Sequence, residues 1–184
     1  MMFLGSLLDQ AIEINAGYSA EAQSVLEEAV KLSPTKQMVS FQLAQHYIVT
    51  GKNDAATDLL YRVWKFAPAY KVAAVHAWVL AVATHKTDIA NEIATMYSPA
   101  GLSENDLLRL GEGYRRIQDY PHALPFYGQI VVVAPENAKY HATYAALLAN
   151  AGRTKEARAQ AQEAIRLDPS LAKEAGIFLQ DLNQ

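Results

Sequence analysis

The chain has 184 residues, 51% of them hydrophobic and 19% charged, enough apolar material for one buried core or one short stacked array. A formal net charge of −3, with Lys, Arg, Asp and Glu intermixed throughout, leaves no global electrostatic footprint for nucleic acid or an anionic membrane surface, so nucleic acid is not an expected partner. The absence of cysteine removes disulfides, thiolate catalysis and cysteine-based metal sites, and suits a reducing or an oxidising compartment equally.

At the N-terminus, "MMFLGSLLDQ" lacks the charged first region and long apolar stretch of a secretion signal, and its doubled Met reads as an added start on an excised fragment. Amphipathic segments then follow one another, with Thr35, Asn53, Thr87, Ser103 and Thr154 as expected N-caps; Ser103 with Asp106 makes a variant capping box. The most apolar run, "VAAVHAWVLAVAT" from Val72 to Thr84, is 13 residues long. That is well short of the roughly 20 needed to cross a bilayer, so it reads as a buried helix and the chain has no membrane span. "PHALPFYGQIVVVAP", from Pro121 to Pro135, pairs Pro121, Pro125 and Gly128 with a β-branched run from Ile130 to Val133; local propensity makes its second half a strand. After Pro169, Leu171, Ala175, Phe178 and Leu182 fall on one helical stripe.

A fixed period overrides these local preferences. Pro34 and Pro68 are 34 apart, as are Pro135 and Pro169, while Pro68 and Pro135 are 67 apart, two periods less one residue. Twelve residues before each of these prolines stands Ala22, Ala56, Ala123 or Ala157, and Ala90 fills the remaining slot. Leu26, Leu60, Tyr127 and Ala161 lie eight before, and Ala29, Val63, Ile130 and Ala164 five before, which puts all three offsets on one helical face. Upstream, Leu43, Ala44 and Tyr47 recur as Leu110, Gly111 and Tyr114, then as Tyr144, Ala145 and Leu148, so each unit is two helices. On this register 121–134 is a helix, with Pro121 at its first position, a bend near Pro125 where one backbone bond is lost, and close helix contact at Gly128.

These residues resemble the tetratricopeptide repeat, a 34-residue helix-turn-helix, over nearly the whole chain. The match is fullest in "FQLAQHYIVTGKNDAATDLLYRVWKFAP" and "YAALLANAGRTKEARAQAQEAIRLDP", where Gly51 and Gly152 occupy the turn between helices. The resemblance implies an all-α, right-handed superhelical solenoid of about five units, 3–34, 35–68, 69–101, 102–135 and 136–169, forming one domain over 1–184 with a capping helix at 170–183. Unit three departs most: His85 stands at the turn, Trp78 takes the usual small slot and no proline closes the unit on schedule, so distorted packing is expected there. In unit one, "FLGSLL" resembles the first-helix signature but sits about five residues too far from Ala22, implying a longer loop around "NAGYS".

No constellation carries chemistry. His46, His76, His85, His122 and His141 have neither the paired spacing nor the carboxylate neighbour of a zinc site, so no metal is expected. "GEG" at Gly111–Gly113 lacks the Lys-Ser/Thr ending of a phosphate loop and falls inside a helix, where Gly111 serves close packing. With no nucleophile elbow and acidic pairs that read as solvated faces, no catalytic residue, cofactor or enzyme activity is expected.

The repeat family binds extended or helical peptide segments on the first-helix side chains that line its concave groove. Carried over, unit two presents Met38, Phe41, Gln42, Gln45, Ile48 and Val49, and unit three Val72, Val75, His76, Val79, Val82 and Ala83, an apolar wall. Units four and five present a polar wall, with Asn105, Arg109, Glu112, Arg115 and Arg116, then Lys139, Ala142, Thr143, Ala146 and Asn150. The slots that hold the Lys and Asn clamp of chaperone-binding members are filled here by Phe41, Gln45 and His76, so that activity is not expected. The expectation is a protein- or peptide-binding scaffold. Its site is Phe41, Gln45, Ile48, Val75, Val79, Val82, Arg109, Glu112, Arg115 and Arg116, and its partner carries apolar side chains with acidic or phosphorylated neighbours. The unit-three wall is either open to that partner or covered, and an incompletely capped first unit can self-associate into a homodimer.

"FLGSLL", "LSPTKQ" and "FAPAYK" further resemble the repeat tails of bacterial O-antigen ligase-like and polymerase-like membrane enzymes. This narrower resemblance implies an extramembrane accessory domain, and leaves the localisation open: a soluble chain that is either cytoplasmic or the extramembrane part of a membrane protein.

Overall fold

The structure, a computed structural model, describes residues 16–182. "FLGSLL" and Asn15 lie outside the described residues, whereas Ala16–Ser19 of "NAGYS", expected in a longer loop, are helical. Among the described residues there are ten α-helices and no strand: α1 Ala16–Leu32, α2 Gln37–Val49, α3 Asn53–Phe66, α4 Lys71–Ala83, α5 Thr87–Met96, α6 Glu104–Arg116, α7 Tyr120–Val133, α8 Ala138–Asn150, α9 Thr154–Leu167 and α10 Ala172–Asp181. Single 3-10 turns at Pro99–Gly101 and Pro169–Leu171 precede α6 and α10. The chain divides into two compact units, Met1–Ile93 and Ala94–Gln184. In the first, α1 packs on α2, α2 on α3 and α3 on α4; in the second, α6 packs on α7, α7 on α8, α8 on α9 and α9 on α10.

Four hairpins, α2–α3, α4–α5, α6–α7 and α8–α9, turn in the same way. After each first helix one residue adopts the left-handed conformation: Gly51 at φ 75°, His85 at 57°, Gln118 at 61° and Gly152 at 72°. Its N–H and that of the next residue then close back on the last turn of the helix, as Gly51 N to Ile48 O at 3.1 Å and Lys52 N to Tyr47 O at 2.7 Å. His85 and Lys86 bond Val82 and Ala81, Gln118 and Asp119 bond Arg115 and Tyr114, and Gly152 and Arg153 bond Ala149 and Leu148 in the same pattern. Thus the turn at His85 keeps its bonds although it lacks a glycine. Trp78 fits its small-residue slot because Ala73, Ala74, Ala77 and Ala81 of the same helix are fully buried and make room for it, leaving Trp78 itself 2% exposed.

The repeating alanines are the core of the hairpins. Ala22, Ala56, Ala90, Ala123 and Ala157 are all at most 4% exposed, a small residue being needed where two helices cross closely. Leu60, Tyr127 and Ala161, one turn further on, are buried too, as are Val63, Ile130 and Ala164. Gly111 and Gly128 mark two more close approaches. A methyl group at Gly111 would lie 3.0 Å from the Tyr127 ring and 3.3 Å from Phe126 Cβ, and one at Gly128 would lie 3.1 Å from the Tyr144 hydroxyl.

The "PHALPFYGQIVVVAP" stretch is helical throughout, α7 running unbroken to Val133 with Pro125 inside it. Burial of Ala123, Phe126, Tyr127 and Ile130 on one face outweighs the strand preference of the β-branched run, whose Val132 and Val133 are exposed. Helix starts differ from expectation in register. Ser103 caps α6, accepting from Asp106 N at 3.2 Å and donating to the Asp106 carboxylate at 2.7 Å. At α2, α3 and α9, however, Lys36, Lys52 and Arg153 hold the cap position without a side-chain bond, and Asn53, Thr87 and Thr154 are already the first helical residues. Within the hairpins the reason is geometric: the residue that closes the turn is also the one that opens the next helix. Side-chain caps come instead from Asp119, to His122 N, and from Asn137, to Lys139 N and Tyr140 N. With Asp119 as cap, Pro121 is the second helical residue rather than the first.

Candidate functional site

The first helices of the hairpins carry the predicted site, and the two compact units treat it differently. In the N-terminal unit, α4 has no polar face, and seven of its thirteen residues are buried: Ala73, Ala74, Val75, Ala77, Trp78, Ala81 and Val82. Val75 and Val82, expected to line an open apolar wall, are 2% and 3% exposed. They are core residues and present nothing to a partner, because a helix apolar all round sinks most of its circumference into its neighbours. Val79 and Ile48 are half-buried and Gln45 is exposed. Phe41 is half-buried, with its ring edge-on to Tyr70 at 5.7 Å and to His76 at 5.5 Å. The surface left along α2 is therefore an aromatic edge and a glutamine, flanked by Met38 and Val49, each more than half exposed.

In the C-terminal unit the wall is open and polar. A cleft of about 460 Å³ is floored by Ala142, Thr143 and Ala146 of α8, with Asn150 at its end, Glu112 and Arg115 of α6 on one side and Glu174 of α10 on the other. The short side chains leave room above α8. Asn150 donates to the Ala146 carbonyl at 2.9 Å, which leaves its side-chain oxygen as an acceptor.

Glu112 organises the charges here. It accepts from Arg115 Nε at 3.1 Å and Nη2 at 2.7 Å in a forked pair, and from the Tyr127 hydroxyl on α7. The Arg115 hydrogen bonds hold the Glu112 carboxyl below the usual carboxylate range, with Tyr127 adding to the effect and burial opposing it. Burial first and then Glu112 push the Tyr127 hydroxyl well above the usual phenol range. The expected basic cluster is thereby reduced, since Arg115 is engaged by Glu112 while Arg109 is half-buried and Arg116 exposed.

Two parts of this arrangement were not read from the sequence. Glu174 reaches the cleft from the capping helix, α10. Tyr127 holds Glu112 from the second helix; at other repeat positions of the N-terminal unit Tyr47 donates to Glu27 at 2.8 Å and Tyr61 donates to Glu92. Burial and Glu27 push the Tyr47 hydroxyl up to about 12. A second, wider cleft of about 700 Å³ lies between the α7–α8 loop and the end of α9, and none of the predicted site residues lines it. Among the described residues no group of three His, Asp or Glu side chains is placed to hold a metal ion. Nor, among them, is any helix long and apolar enough to cross a membrane.

No family model matches the chain. It is 32% identical over 90 residues to the TPR repeat-containing thioredoxin TTL4 of Arabidopsis thaliana, a match covering 49% of this chain and 12% of that protein. The chain thus spans about an eighth of the length of this relative. Among solved structures it resembles MamA from Desulfovibrio magneticus RS-1, with a TM-score of 0.62 and 17% identity over 90% of this chain and 93% of that one. YrrB, described as a TPR protein with an unusual peptide-binding site, has a TM-score of 0.58 and 17% identity over 80% of this chain and 77% of its own. These structures share the helix-turn-helix fold with this chain. Nothing in the comparisons supports a likeness to glycan-ligase tails.

Proposed function

We propose that this chain, an array of tetratricopeptide repeats, is a non-catalytic scaffold that binds a protein or peptide segment on the inner, first-helix face of its hairpins. The observation that carries the reading is the cleft of the C-terminal unit, a concave surface floored by the small side chains Ala142, Thr143 and Ala146 and edged by Glu112, Asn150 and Glu174. A floor of small residues accepts a segment's backbone closely, and the Asn150 and Glu174 oxygens accept hydrogen bonds from its amides or cationic side chains. The YrrB likeness supports peptide binding as a use of this fold. In the N-terminal unit Phe41, Gln45, Ile48 and Val79 are the part of the expected wall that a partner's apolar side chain can reach. Arg116 is the exposed cation offered to an acidic neighbour in the partner.

The test is selection of displayed peptides against the folded chain, followed by titration of a labelled winner. Ala146→Trp fills the cleft from an exposed position and should weaken binding at least tenfold, about 1.4 kcal/mol, without loss of helicity. Selected peptides that bind the parent and Ala146→Trp equally would place the site elsewhere.

A further inference from the structure

The even mixing of charges along the sequence breaks down at one edge of the N-terminal unit. Residues 31–38, "KLSPTKQM", and 65–72, "KFAPAYKV", hold four lysines and no carboxylate. These segments join α1 to α2 and α3 to α4. Because α2 and α3 are antiparallel and pack together, the start of α2 and the end of α3 lie at the same edge. The Phe41–Tyr70 ring contact at 5.7 Å ties the second segment to the second turn of α2.

Large apolar side chains stand out from this edge. Leu32 is 76% exposed, Phe66 72%, Met38 57% and Val72 49%. Leu32 and Phe66 hold the same position two residues before Pro34 and Pro68, and Lys31 and Lys65 precede them. Glu28 lies 3.8 Å from Lys31 and Glu92 lies 2.6 Å from Lys65, while the two segments themselves carry four lysines and no carboxylate, so the edge is net positive. The equivalent edge of the C-terminal unit has the apolar residues Val132 and Val133 but places Glu136 and Asp168 in the connecting segments.

We infer that the 31–38 and 65–72 edge of the N-terminal unit docks on an anionic lipid surface, inserting Leu32 and Phe66 among the headgroups while Lys31, Lys36 and Lys65 meet lipid phosphates. Protruding apolar tips ringed by long cationic side chains suit the bilayer interface, where aliphatic stems lie along the acyl boundary and ammonium groups reach outward. An anionic leaflet supplies the charge this edge lacks. A second copy of the chain does not, since two such edges facing each other repel. A segment-binding role is also a poor fit, because the tips project where a groove would have to receive the segment. This docking is independent of the cleft in the C-terminal unit.

The experiment is flotation of the whole chain with vesicles of phosphatidylcholine mixed with phosphatidylglycerol, against vesicles of phosphatidylcholine only, at low and high salt. Binding is expected to the anionic vesicles alone and to weaken with salt. Lys31→Gln with Lys36→Gln should lower the partition coefficient about 25-fold, each lysine near an anionic surface contributing about fivefold. Leu32→Ser with Phe66→Ser should lower it at least about tenfold, while Val133→Ser should leave it unchanged. All replaced side chains are exposed, and circular dichroism should show the parent's helicity. The inference is overturned if the chain ignores anionic vesicles or binds neutral ones equally. It is also overturned if the edge variants bind like the parent, or if they dissolve a dimer formed without lipid.

Discussion

Replacing Gly152 by alanine isolates the backbone cost of the hairpin turn. At φ 72° the residue is left-handed, and an added Cβ would meet nothing within 4 Å, so no packing term enters. A Cβ in this conformation costs about 1–2 kcal/mol, of which about 0.4–1 kcal/mol is returned because alanine restricts the unfolded chain. Gly152→Ala, and Gly51→Ala by the same reasoning, should therefore lose about 1 kcal/mol. His85→Gly and Gln118→Gly should gain about 0.5–1 kcal/mol each, since those residues now bear the left-handed strain at φ 57° and 61°. At this chain length 1 kcal/mol moves a thermal midpoint by about 2–4 °C. Unfolding followed at 222 nm would read all four. Opposite signs, with Gly152→Ala neutral and His85→Gly destabilising, would refute the idea that the four turns share one backbone requirement.

Other predictions follow from packing and charge. Gly111→Ala should destabilise by about 1–2 kcal/mol, because its methyl meets the buried Tyr127 ring at 3.0 Å; Gly128→Ala should be neutral or stabilising, since it meets only the movable end of Tyr144 at 3.1 Å. Chemical denaturation of the two variants checks the contrast. Pro125→Ala should stabilise α7 by about 1–3 kcal/mol by restoring a bond to the Pro121 carbonyl, and hydrogen exchange at residue 125 should show the new amide protected. Glu112 has its pKa lowered from 4.5 in the fold, so its contribution is fully present above the unfolded value and is lost as pH falls through the lowered one. Glu112→Gln should thus reduce stability at neutral pH and flatten the acid side of the stability profile; an unchanged acid limb would count against the Arg115–Glu112–Tyr127 link.

The repeat frame was readable because its signal is periodic. Ala22, Ala56, Ala90, Ala123 and Ala157 stand at a fixed offset and all are buried, and the same register identifies α7 as a helix against the local preference of Ile130 to Val133. Helix starts were less legible, since a turn-closing residue such as Lys52 or Arg153 also opens the next helix and moves the expected cap by one position. The site was legible only where helices have a polar side. In α4 only Lys71 and His76 are polar, which means that periodicity cannot separate Val79, half-buried, from Val75 and Val82, which belong to the core. On α6 the i, i+3 pairing of Glu112 with Arg115 was within reach of the sequence. The Tyr127 hydroxyl and Glu174 come from other helices, and only the fold brings them to the cleft.

The central claim is that segments bind the inner face of the hairpins. The most direct test is a titration of isotope-labelled chain with a selected peptide, following backbone amide shifts. The account predicts the largest changes at Ala142, Thr143, Ala146 and Asn150 of α8 and at Glu112 and Arg115 of α6. Changes confined to the outer surfaces of α7 and α9, at Val132 or Ala159, with the α8 amides unmoved, would contradict it.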